Sequence, residues 1–64
     1  MIQFIRLNQQ ETEENLPIFQ KTETPGRLTV KLNREIGGLL VTIDGTEKEI
    51  EKYYNLLREN GITI

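Results

Sequence analysis

With no histidine and no cysteine, the chain can draw its chemistry only from carboxylates, lysines and tyrosines. The carboxylates gather in two places, Glu13-Glu14 and the alternating Glu47, Glu49 and Glu51. Paired carboxylates can act as general acid and general base when their protons are tuned near neutral pH. Here the first pair sits in a polar run, and the second set lies on a segment that reads as a helix with a solvated face. Both read as surface charge, and the chain is expected not to be an enzyme. Gly37-Gly38 is not a phosphate loop, because no glycine-rich fingerprint leads into a helix with a Lys-Ser/Thr ending. The two glycines read as turn residues with positive φ. Arg27, Lys31 and Arg34 make their segment mildly basic against Glu35 and Asp44. They carry no interleaved aromatics, and a net charge of −2 gives no pull toward nucleic acid. Tyr53 and Tyr54 are about 100° apart on a helix, so one should face the core and the other its boundary.

The same missing residue types exclude a disulfide framework and a zinc finger, and no cofactor is expected. Sixty-four residues allow one domain, at a size where a single core is only just sufficient. Apolar residues make up 36%, enough with the glycines for a globular domain rather than a disordered tail. The longest apolar run, Leu39-Leu40-Val41, is too short for a membrane span. A cytoplasmic protein without a membrane partner is expected. With no covalent or metal staple, association with a second chain is the remaining common support for so small a core.

The elements that must position these residues are clearest at the C-terminal end. Thr46-Glu47-Lys48-Glu49 has the form of a capping box, with a hydroxyl at the N-cap and a carboxylate three positions on. Asp44-Gly45 is turn chemistry before it, and Gly61 suits a left-handed C′ position after it. Ile50, Tyr53, Tyr54 and Leu57 fall at i, i+3, i+4 and i+7 and share a face, which predicts a helix over Thr46–Asn60. Leu28, Val30 and Leu32 alternate with Thr29 and Lys31 as in a half-buried strand over residues 27–33. Residues 39–43 are apolar on both faces and suit a central strand. The glycine-bearing segment between the two strands is too short for a parallel crossover, so it predicts an antiparallel hairpin. Ile2 to Leu7 reads as another strand, with Ile2 and Phe4 on one face and Ile5 and Leu7 on the other. Leu16-Pro17-Ile18-Phe19-Gln20 has two readings, a helical turn with Pro17 near its first position or a short edge strand. Ile62-Thr63-Ile64 reads as the start of a last strand.

A shared core face for these elements gives an α+β fold: a small ferredoxin-like antiparallel sheet of about four strands, one main helix and a reduced first helix. The first and third strands would lie in the middle. The stretch from Gly38 through Asp44-Gly45-Thr46-Glu47 to Leu56-Leu57-Arg58-Glu59-Asn60-Gly61-Ile62 resembles the second half of the NIL domain of methionine-importer ATPases. The likeness covers about 25 residues: a glycine-led apolar strand, a turn glycine, an acidic helix start, Leu-Arg-Glu-x-Gly and a final apolar strand. Val30-Lys31-Leu32 stands where the naming Asn-Ile-Leu would be. The resemblance implies a ferredoxin-like regulatory module that dimerises and, in the transporters, senses an amino acid; no ligand residue carries over by motif.

The function expected from these readings is a small regulatory module that binds protein, either its own copy or a larger partner. The alternatives are a NIL-like sensor of a small amino acid and a viral or mobile-element inhibitor of a host protein. One helix cannot cover four strands, so part of a sheet face should stay open. Ile18, Phe19, Ile36 and Ile62 are the expected partner contacts.

Overall fold

The computed structural model describes residues 1–62. Strand β1 (Ile2–Asn8) is followed by helix α1 (Gln9–Lys21), strands β2 (Thr29–Glu35) and β3 (Gly38–Asp44), and helix α2 (Glu47–Glu59). The sheet has the order β1-β3-β2, and β3 is antiparallel to both neighbours. β1 and β2 therefore run parallel to each other with β3 between them, joined by the α1 crossover.

Helix α2 starts and stops where its capping residues dictate. The Thr46 hydroxyl accepts the Glu49 N–H, and the Glu49 carboxylate accepts the Thr46 N–H in return. At the other end Gly61 takes φ +106°, and the Ile62 N–H donates to the Leu57 carbonyl at 3.0 Å, the left-handed exit of a Schellman-type cap. Ile50, Tyr53 and Leu57 are buried, while Tyr54 lies half-buried at the boundary.

The first helix corrects the expectation of a reduced one. It runs for 13 residues, and Pro17 lies in its interior rather than at its start. Its nucleus is a second capping box: the Asn8 side chain accepts the Glu11 N–H at 2.8 Å, and Glu11 accepts the Asn8 N–H at 3.0 Å. Its inward face is Thr12, Leu16 and Phe19, spaced i, i+4, i+7, with a threonine where an apolar residue would announce the pattern. Thr12 is buried and donates its hydroxyl to the Asn8 carbonyl at 2.7 Å. Proline removes one helical N–H, which leaves only the Glu13 carbonyl, on an exposed residue, without its usual donor.

The described residues form three strands, not four. β1, expected in the middle of the sheet, lies at an edge, and β3 alone is central. Of the expected last strand, Thr63 and Ile64 lie outside the described residues. The hairpin between β2 and β3 is tight, with Ile36 and Gly37 between the paired Glu35 and Gly38. Gly37 takes the positive φ, +78°, expected of a turn glycine. Gly38 is needed for another reason: a Cβ there would run into the Leu7 carbonyl.

One cluster holds the fold together. Leu39, Val41 and Ile43 from β3 are at most 1% exposed, and they pack with Leu7, Phe19, Leu28, Ile50, Tyr53, Leu57 and Ile62. Both helices contribute to this cluster, so both lie on the same face of the sheet. Two helices over three strands remove the uncovered inner face that a single helix over four strands would have left.

Candidate interaction surface

The pairing register sorts every strand residue by face. Gln3, Ile5 and Leu7 stand beside Ile43, Val41 and Leu39, and Val30 and Leu32 beside Ile43 and Val41. That set faces the helices. The outer face carries Ile2, Phe4 and Arg6 from β1, Leu40, Thr42 and Asp44 from β3, and Thr29, Lys31, Asn33 and Glu35 from β2. No described element covers it.

Apolar side chains collect along β1 on this open face. Ile2 is 54% exposed and Phe4 62%. Leu40 is half-buried in the middle of the sheet. The polar side of the face is tied down by one ion pair, in which Arg6 Nη1 reaches across β3 to Glu35 Oε1 at 3.0 Å. With both partners accessible, such a pair contributes about 1 kcal/mol or less. The face is balanced in charge, with Arg6 and Lys31 against Glu35 and Asp44.

The four expected contact residues divide. Ile36, at the hairpin tip, is fully exposed, and Ile18 is half-buried on α1 against the core. Phe19 and Ile62 are core residues at 4% and 5% exposure, because the full-length α1 turns Phe19 inward and the α2 cap folds Ile62 back over Leu57. Ile2 and Phe4 were not among the expected contacts. Their signal was present in the alternation of β1, and it was hidden by assigning that strand to the centre of the sheet.

The carboxylates considered for catalysis have other occupations or none. Glu13, Glu14, Glu47 and Glu51 are exposed. Glu49 is structural: beyond capping Thr46, it accepts the Arg27 N–H at 2.8 Å and so ties the Pro25-Gly26 turn to the start of α2. The N–H donors of Thr46 and Arg27 hold its carboxyl below the ordinary carboxylate value. Tyr53 is fully buried, and burial pushes its phenol up. Among the described residues its hydroxyl is the one buried side-chain polar atom with no hydrogen-bond partner. No His, Cys, Asp or Glu group of three converges there to hold a metal ion, and no helix is long and apolar enough to cross a membrane.

Comparison of the chain with protein-family models, with curated proteins and with solved structures finds no match.

Proposed function

We propose that the protein is a small non-enzymatic binding module that works by docking a protein chain on the β1 side of its open sheet face. The observation that carries this reading is the exposure of Ile2 and Phe4, two large apolar side chains on the same face of an edge strand in a sheet that no described element covers on that side. Single exposed apolar residues are ordinary, whereas contiguous ones mark contact surfaces. The balanced charge of the face favours a protein partner over a polyanion. A ferredoxin-like arrangement fits the same reading. β2 returns parallel to β1 with β3 between them, and both helices pack on one side. A regulatory role in the cytoplasm, of the kind the NIL-like segment implies, is part of this proposal.

The test is photo-crosslinking in cells that express the chain, with a benzophenone side chain at position 4 and, as control, at the exposed position 52 on α2. Position 4 is expected to give discrete protein adducts, of the chain itself or of another protein. Equal labelling from positions 4 and 52 would remove the surface from consideration.

A further inference from the structure

The partner that β1 fits best follows from its unused hydrogen bonds. The Gly45 N–H donates to the Met1 carbonyl at 3.0 Å, and the ladder register continues this pair inward as Gln3 with Ile43, Ile5 with Val41 and Leu7 with Leu39. In an antiparallel ladder, hydrogen-bonded pairs alternate with pairs whose backbone groups point away. The odd-numbered residues of β1 thus spend their N–H and C=O groups on β3. Ile2, Phe4 and Arg6 turn theirs to the free edge. Asn8 turns the same way, but its N–H is occupied by Glu11 and its carbonyl by the Thr12 hydroxyl. Among the described residues the edge therefore offers complete donor–acceptor sets at three residues, Ile2, Phe4 and Arg6, which are also outer-face residues.

We infer that a second copy of this chain docks on that edge, β1 against β1 and antiparallel, with the twofold axis through Phe4, so that two three-stranded sheets become one of six strands. This inference rests on the binding reading above and names its partner. Only one register uses all the free groups: Phe4 pairs with Phe4 of the second copy, and Ile2 with its Arg6. An axis through Ile5 would bring Ile2 against the occupied Asn8. An axis through Gln3 would leave Arg6 with nothing opposite. The chosen register stacks the two exposed Phe4 rings side by side, a favourable cross-strand pair. It also moves Ile5, half-buried and facing the helices, opposite Gln3 of the other copy, where Met1, Gln3, Ile50 and Tyr54 line a shallow groove.

The outer face carries no net charge against this pairing: Asp44 stands beside Ile2, and at the other end Arg6 is neutralised by Glu35. The opposite sheet edge is guarded, since β2 carries Lys31 and Arg34, and charged side chains are a usual protection against edge pairing. On β1 the single charge, Arg6, is already drawn inward to Glu35.

The chain has no cysteine, so single cysteines report the register. Paired residues in a hydrogen-bonded site lie about 5.5 Å apart at Cα, within disulfide reach. In the proposed register two copies of residue 2 are roughly 13 Å apart, four residues of strand rise. Purified Phe4→Cys is expected to form disulfide dimers at least tenfold faster than Ile2→Cys or Arg6→Cys alone. An equimolar mixture of Ile2→Cys and Arg6→Cys, which keeps Phe4, is expected to cross-link as fast as Phe4→Cys. Sedimentation from micromolar to millimolar concentration should show a monomer–dimer equilibrium, and Phe4→Lys should raise its dissociation constant at least tenfold while the circular dichroism stays unchanged. Equal disulfide rates for all variants, or a wild type that stays monomeric throughout, would overturn self-pairing. In that event position-4 adducts with a different protein in cells would leave the binding reading standing, and their absence would remove both.

Discussion

Tyr53→Phe is expected to make the protein more stable, the opposite of what a change at a fully buried position usually does. The Tyr53 ring is 0% exposed and packs in the core with Leu39, Val41, Ile43 and Leu57, contacts that phenylalanine keeps. Its hydroxyl has no partner among the described residues. Burying a hydroxyl without a hydrogen bond costs about 1–3 kcal/mol. Against this, the void left by one oxygen costs a fraction of a kcal/mol, less than a lost methylene. The net gain is about 1 kcal/mol, which for a domain of this size raises Tm by roughly 4–8 °C. Urea unfolding should show a higher midpoint at an unchanged slope. A second signature comes from pH. Burial raises the folded pKa of Tyr53 above its ordinary 10.0, so its neutral form contributes stability in full below pH 10. That contribution is lost as pH climbs above 10, because the unfolded chain ionises first. Wild type should therefore decline in alkali more steeply than Tyr53→Phe. A variant less stable than wild type, with the same alkaline decline, would show that the hydroxyl is hydrogen-bonded in solution and refute the reasoning.

Other substitutions read other joints of the fold. Thr46→Ala removes the N-cap acceptor of α2 and should cost about 1 kcal/mol, measured as a shift of the urea midpoint. Leu57→Ala empties a fully buried site beneath the sheet and should cost about 2–5 kcal/mol, leaving much of so small a domain unfolded by circular dichroism at room temperature. For Glu49, backbone N–H groups of Thr46 and then Arg27 lower the folded pKa. Its contribution is thus present above its unfolded value of 4.5 and lost as pH falls below it. Glu49→Gln should be less stable than wild type at neutral pH and converge with it in acid, and parallel acid-unfolding curves would contradict the assigned role. Gly38→Ala should destabilise more than Gly37→Asn, since only the first forces a Cβ into the backbone of β1.

Much of this fold was legible because its signals were local and chemically explicit. The Thr46 to Glu49 capping box, the four-residue apolar face of α2 and Gly61 specify a helix without reference to anything else in the chain. The alternation over Leu28, Val30 and Leu32 and the short glycine connection specify an antiparallel hairpin on the same terms. The first helix was not legible by that route, because two of its determinants wear disguises. Its N-cap is an asparagine at the end of a strand, and its inward face includes Thr12, a hydroxyl satisfied by the carbonyl one turn back. Pro17 then argues against a helix interior, and the one carbonyl it deprives of a donor belongs to the exposed Glu13. Once α1 is complete, Phe19 must be core, and the surface expected from its exposure disappears.

The open surface depended on information no single segment contains. That Ile2 and Phe4 share a face follows from strand alternation alone, but which face meets the helices depends on the register with Val41 and Ile43. The same alternation in a central strand would have buried both residues. The free edge goes one level further, because alternation says where side chains point and says nothing of which backbone groups are spent. Here a single turn contact, the Gly45 N–H on the Met1 carbonyl, decides it. The tight turn at Ile36-Gly37 gives the same parity independently. It makes Glu35 and Gly38 a hydrogen-bonded pair, so even-numbered residues of β3 serve β2 and odd-numbered ones serve β1. Exposed apolar side chains and unspent backbone groups thus fall on the same residues of β1. On β2 the residues with unspent groups, Val30, Leu32 and Arg34, stand on the helix side of the sheet. An incoming strand there would gain hydrogen bonds without covering the exposed apolar stripe, whereas on β1 it obtains both at once.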